Sequence, residues 1–168
     1  MDHDTVGSRQ GEPAFVQTHD GLRLAAWHHS AQGPTLRARL VLVHGYAEHG
    51  GRYAWLVASL GAAGYECAVF DLRGHGRSGG PRGHVGRFAE YLDDLDRVVQ
   101  WAAAQARAGG PRPVRRFVVG HSLGGLIALE HVRLRPGAFD GLAASSPFLA
   151  PTFTTPSPAR NPRTSTRR

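Results

Sequence analysis

Val118-Val119-Gly120-His121-Ser122-Leu123-Gly124-Gly125 joins an apolar run, Val114–Val119, to a segment with helical spacing, Leu123–Leu134. The run reads as a strand buried on both faces, and Gly-x-Ser-x-Gly sits at the junction. So sharp a strand-to-helix turn forces Ser122 into a strained conformation and lifts its hydroxyl to the C-terminal edge of a sheet. Gly120 and Gly124 are required because a side chain at either place would collide across the bend. The helix that follows aims its free N–H groups at the turn, which favours developing negative charge. His121 reads as scaffold rather than as a base. The five-residue pattern is common by chance, so its weight comes from this strand–turn–helix setting.

Working outward, Ala38–Val43 and Tyr65–Phe70 are two further short apolar runs, with Cys67 a small apolar filler in the second. Between them Tyr53, Leu56, Val57 and Leu60 mark a helix over Arg52–Leu60, stopped by Gly61 and Gly64. Val85, Phe88, Leu92, Leu95, Val99 and Ala102 recur at three- and four-residue steps and predict a long helix, ended by Gly109-Gly110-Pro111. Its Asp93, Asp94 and Asp96 read as a solvated face turned away from the core rather than as a metal cluster. Gly141–Ser145 predicts a last strand. Ala14–Thr18 and Leu22–His28, joined through Asp20-Gly21, predict an opening β-hairpin. Strands alternating with helices specify an α/β fold whose mostly parallel sheet is covered on both faces. Residues 1–13 read as a disordered leader, 14–150 as the domain, and 151–168 as a disordered Pro/Ser/Thr/Arg tail.

The 168 residues suffice for one domain, and 41% hydrophobic with 20% charged residues is an ordinary globular balance. A coiled coil, a collagen-like chain and a fully disordered chain are excluded. One cysteine excludes a disulfide-stapled scaffold. No apolar stretch reaches membrane-span length, and the polar, acid-bearing start lacks the regions of a signal peptide, so the expectation is a cytoplasmic protein without stable membrane insertion. The net charge of +7 is concentrated: all 20 basic residues are Arg, and Arg160, Arg163, Arg167 and Arg168 lie in an acid-free tail. The body carries 16 Arg against 13 acids and shows no aromatic interleaving, so nucleic acid is not an expected partner.

His44-Gly45-Tyr46-Ala47-Glu48-His49-Gly50-Gly51-Arg52-Tyr53 follows the strand ending at Val43. A nucleophilic serine needs N–H donors aimed at its oxyanion, and the backbone groups of Tyr46 and Leu123 are the natural pair. His44, Glu48 and His49 do not have the spacing of the helical zinc motifs, so no metal site is expected. Gly74-x-Gly76-x-x-Gly79 formally matches a dinucleotide fingerprint. Gly80-Pro81-Arg82-Gly83 follows it where a helix should start, and no nucleotide cofactor is expected.

Taken together, HGYAEHGGRY (44–53), FDLRGHGRSGGPRGHV (70–85), GHSLGGLIAL (120–129) and SSPFL (145–149) resemble the α/β-hydrolase superfamily. The branch they are similar to is the monoacylglycerol lipase and lysophospholipase group of serine aminopeptidase-like hydrolases. The resemblance implies a serine hydrolase that cleaves carboxylic esters of lipids, of monoacylglycerol or lysophospholipid type, through an acyl-enzyme on Ser122. It implies Tyr46 and Leu123 as the oxyanion hole, with Glu48, His49 and Arg52 organising the loop and His49 also a substrate contact. Asp71 to Ser78 would form a structural loop nearby. No cofactor is implied, and the oligomeric state stays open.

The departure from this pattern lies downstream of Ser122. A serine nucleophile needs a His to take its proton and an acid to orient that His, and in this superfamily both follow the serine. The chain offers only Glu130, His131 and Asp140. His131 lies nine residues down the helix, roughly 13 Å along its axis, and Glu130 shares that helix. Asp140 precedes its strand and so belongs to the opposite edge of the sheet. The cap and last strands of the family fold are missing from the sequence, which suggests the N-terminal part of a hydrolase cut short. His44 or His84 could approach Ser122, but no acid would fix its tautomer. The alternative reading is therefore a catalytically incomplete fragment or a binding pseudo-enzyme.

Overall fold

The computed structural model describes residues 11–106 and 113–149. Nine principal elements follow in chain order: β1 (Ala14–Gln17), β2 (Arg23–His29), β3 (Ala38–Val43), α1 (Ala54–Ala62), β4 (Tyr65–Phe70), α2 (Ala89–Gln105), β5 (Arg116–His121), α3 (Leu123–Leu134) and β6 (Gly141–Ser145). The strands form one sheet in the order β1-β2-β4-β3-β5-β6. β1 and β2 are antiparallel, β2 is antiparallel to β4, and β4, β3, β5 and β6 run parallel. The parallel strands end together, so Phe70, Val43, His121 and Ser145 share one edge, where the loops that bear the motifs emerge.

Alternation along β3 explains why its residues Leu40 to Val43 are all apolar, while Arg39 near its start pairs with Glu66 of β4 at 2.9 Å. Val41 and Val43 face one core with Ala68, Phe70, Leu95, Val98 and Ile127, beneath α2 and α3. Leu40 and Leu42 face a second core with Cys67, Val69 and Val57, beneath α1. Cys67 is fully buried, as its reading as an apolar filler requires. Two helices close one face and one closes the other. Accordingly Phe117 and Val119 of β5 are only partly buried on the α1 side, and β6 is exposed over Ala143 to Ser145. Among the described residues nothing pairs with the outer side of β6.

Several expectations are corrected. α2 begins at Ala89, not Val85, because Gly83 (φ 64°) and the Gly86 turn hold the preceding segment as loop. Val85 and Phe88 still pack on the core from that loop, which is why they matched helical spacing. Arg52 lies in a short 3-10 turn, Gly50–Tyr53, and α1 continues through Gly61 until Gly64 (φ 89°) breaks it. β1 starts at Ala14 as expected but ends one residue earlier, at Gln17, β2 is shifted by one residue, and β5 runs from Arg116 to His121 rather than from Val114 to Val119.

The three aspartates of α2 are not a solvated face. Asp94 is 1% exposed and takes two bonds from Arg73, at 2.6 and 2.7 Å. Asp93 and Asp96 pair with Arg135 of the segment after α3, and Asp96 also meets His131 at 2.7 Å. Helical spacing spreads the three around the helix, and two of the directions point at neighbouring elements that carry cations. Residues 1–10 of the expected leader and 150–168, holding the expected tail, lie outside the described residues. Within the leader, Gly11 O accepts a bond from the Trp27 indole at 2.7 Å, and Glu12 pairs with Arg77.

Candidate active site

Ser122 occupies the turn between β5 and α3 at φ 51°, ψ −117°, a left-handed setting that costs a non-glycine residue on the order of 1–3 kcal/mol. Its backbone is tied on both sides: Ser122 N–H donates to Ser145 O (3.0 Å), and Ser122 O accepts from Phe148 N–H (3.0 Å) and Leu126 N–H (3.1 Å). The flanking glycines are a packing necessity. A Cβ on Gly120 would stand 2.6 Å from the Gly124 carbonyl carbon, and one on Gly124 would stand 2.6 Å from His44 O. The elbow is thus pressed directly against the backbone of the loop that leaves β3.

That loop reaches Ser122 through Gly45, whose missing Cβ would sit 3.2 Å from Ser122 Cβ. Tyr46 follows, its side chain 60% exposed. Leu123 is the first residue of α3, so its N–H has no carbonyl four residues back within the helix. The structure brings Tyr46, Ser122 and Leu123 to one edge, as the motifs require. His49 is exposed and precedes the 3-10 turn; its carbonyl accepts from Arg52 N–H at 3.2 Å. Beside the elbow lies a cavity of about 340 Å³, with Tyr53, Leu56, Val119, His121 and Ser145 in its walls.

Buried polar groups hold the loop. Glu48 accepts from Gly45 N–H (3.2 Å) and Tyr53 OH (3.3 Å), and Arg52 lies 3.7 Å away. Burial works against its ionisation, yet these donors together keep its carboxyl below the usual range. Asp71, at the end of β4, accepts from Gly50 N–H and from Arg77 N–H, both at 2.7 Å. A Cβ on Gly76 would meet the same carboxylate. Gly76 therefore serves the close approach of the loop to Asp71, while a Cβ on Gly74 would meet Pro81 O in the turn that follows. Ser78 completes the clamp, donating to Asp71 O (2.5 Å) and accepting from Ala25 N–H (2.9 Å).

No histidine among the described residues is placed to serve Ser122 as an oriented base. His44 is 1% exposed: its Nε2 accepts from Leu72 N–H (2.9 Å), and its Nδ1 meets Gly45 O at 2.7 Å. Burial pushes it down to about 4. His121 turns to Ser145 O (3.1 Å) and Ser145 Oγ (3.3 Å), a scaffold contact. His84 is exposed and lines a separate cavity with Asp20 and Arg73. His131 is tied to Asp96, and Asp140 accepts from Arg116 N–H at the start of β5, the far edge from Ser122.

Sequence reasoning missed the polar interior of this edge. Arg73 is the hub: besides Asp94 it binds Glu90 at 2.7 Å and Asp20 at 2.9 Å. Asp20 is held down to about 2, by a bond from Thr18 and by Arg73. Asp94 is shifted the other way, up, because its burial outweighs the pull of Arg73. The available signal was the density of Asp, Arg, His and Ser straight after a buried strand that ends in Cys67-Ala68-Val69-Phe70, which a solvated loop would not need.

Comparison with known proteins agrees with this architecture. Residues 34–163 match the serine aminopeptidase, S33, family, a match that runs on past the described residues. The chain is 40% identical over 111 residues to a monoacylglycerol lipase of Mycolicibacterium smegmatis, covering 66% of this chain and 38% of the relative. It is 33% identical over 142 residues to lysophospholipase L2 of Escherichia coli, covering 81% and 38%. The crystal structure of the Paleococcus ferrophilus monoacylglycerol lipase superposes with a TM-score of 0.66 at 36% identity, covering 80% of this chain and 47% of that one. The chain thus spans less than half the length of these relatives. With the strained serine between β5 and α3, the glycine contact from the β3 loop and a match over most of its length, the chain belongs to the serine aminopeptidase, S33, family of α/β-hydrolases.

Proposed function

We propose that this chain carries the nucleophile and oxyanion half of a serine hydrolase acting on carboxylic esters of lipids, of monoacylglycerol or lysophospholipid type. The observation that carries the reading is Ser122 at φ 51° with Gly45 packed against its Cβ, which brings the serine side chain to the loop that carries Tyr46. Ser122 Oγ adds to the ester carbonyl, its proton passes to a base, and the carbonyl oxygen takes the negative charge. The N–H groups of Tyr46 and Leu123 bind that oxygen. The alcohol leaves with a proton, and water then releases the acid from Ser122. His49, exposed at the rim, contacts the substrate. The lipase and lysophospholipase relatives support the substrate class.

A specific observation favours a second reading for these residues by themselves. No His or carboxylate follows Asp140 in the sequence, and His44 and His121 are both engaged elsewhere. Without an oriented base the chain binds esters without turning them over. Hydrolysis of p-nitrophenyl butyrate by the chain and by Ser122→Ala separates the two. Turnover that Ser122→Ala abolishes establishes the hydrolase, whereas no difference between the two proteins leaves the binding reading standing.

A further inference from the structure

The imidazole of His44 bridges two loops, and its bonding fixes its own chemistry. Leu72 N–H can only donate, so Nε2 must carry the lone pair and the ring proton sits on Nδ1. That proton then points at Gly45 O, 2.7 Å away. Gly45 C=O and Tyr46 N–H belong to one planar peptide and lie trans across it. A donor holding the carbonyl on one side therefore directs the Tyr46 N–H to the other. The same bond polarises the peptide and strengthens its N–H as a donor. The flanking contacts agree with a fixed plane. Glu48 takes the preceding Gly45 N–H at 3.2 Å, and the His75 ring packs edge-on against both His44 and Tyr46, at 5.5 and 5.4 Å.

We propose that His44 is a positioning residue: its Nδ1–H locks the Gly45–Tyr46 peptide so that the Tyr46 N–H faces an oxyanion formed on Ser122. The inference rests on the reading of Ser122 and Tyr46 above and adds a side chain that, at 2.7 Å against 3.4 Å for Glu48 N–H on the same oxygen, is the nearer of the two donors that set the peptide's direction. It gives His44 a reason to be neutral and buried at a site where a charged histidine could not accept from Leu72.

The test needs no general base. 4-Fluorophenylboronic acid, followed by fluorine NMR, forms a tetrahedral anion on a serine. The Ser122 oxygen supplies an electron pair to boron, its proton passes to buffer, and boron keeps both hydroxyls. Ser122-dependent binding is expected, and equal binding by Ser122→Ala overturns the reading of Ser122 and this inference with it. His44→Asn and His44→Gln then divide the two bonds of the ring. Asn places an N–H near the position of Nδ1, toward Gly45 O, and Gln places a carbonyl oxygen near that of Nε2, toward Leu72. Affinity should stay within a few-fold in His44→Asn and fall on the order of tenfold or more in His44→Gln. Ser122-dependent binding that His44→Gln leaves unchanged, or that both variants lose equally, overturns the inference alone. The wild-type chain supplies a check independent of either variant: nitrogen NMR of His44 should show the proton on Nδ1, and the Nε2-protonated tautomer overturns the proposal.

Discussion

The two turns that meet at Ser122 are built by opposite means. The elbow between β5 and α3 is held by absence: at Gly120 and Gly124 backbone packs on backbone where no side chain fits, and the strain is concentrated on Ser122. The loop leaving β3 is held by presence: His44, Glu48 and Asp71 are polar side chains set under or into the loop, each taking a backbone N–H that would otherwise go unbonded. Steric exclusion tolerates no added atom. A polar clamp tolerates changes in shape better but depends on protonation state.

Adding one methyl group to the elbow is the largest expected break. Gly124→Ala drives a Cβ into the backbone carbonyls of Val43, the last residue of β3, and His44, the first of the loop after it, which cannot give way as a side chain would. A loss of about 3 kcal/mol or more is expected, read as a lower urea midpoint or as failure to recover soluble protein. A wild-type midpoint would mean that the two turns are not in contact.

Acid acts on the other turn. His44 falls from 6.5 to about 4 on folding, so the unfolded chain binds the extra proton between those values. The stability it contributes is present in full above pH 6.5 and is lost as pH falls toward 4. Up to roughly 3 kcal/mol is at stake across that window. Urea titrations at a series of pH values should show this slope in the wild type and a shallower one in His44→Asn. Parallel slopes in the two proteins would remove His44 from the account.

The smallest expected effect sharpens the contrast by relieving the elbow. Ser122→Gly removes the cost of φ 51° and should stabilise the chain by about 1 kcal/mol. Ser122→Ala keeps the strain and should not. If both variants behave alike in thermal melts, the strain at the elbow is not real.

Much of the elbow was legible in the sequence, because exclusion leaves a local trace. Glycines at 120 and 124 between an apolar run and a helical one have one economical explanation, and both β3 and β4 were read to the residue from their apolar runs. The Glu48 part of the polar clamp is local and was implied by the resemblance, whereas the His44, Asp71 and Arg73 parts were illegible because their partners are distant in sequence. Asp94 lies 21 residues from Arg73, and Leu72 lies 28 from His44. Helical spacing could show that Asp93, Asp94 and Asp96 point in different directions. It could not show that cations wait in two of those directions.

Pattern along the chain was enough for the alternation of strands and helices, the serine in its turn, the family, and the absence of His and acid between Asp140 and Arg168. These depend on periodicity, on glycine and on order along the chain, all of which are local. Which polar groups are buried and what they hold emerged with the packed fold: His44 beneath the Gly45–Tyr46 peptide, Asp71 joining two loops, and Arg73 among three carboxylates. A buried polar side chain is stable only where a partner meets it, and that meeting is made when the sheet closes, not by neighbours in the chain.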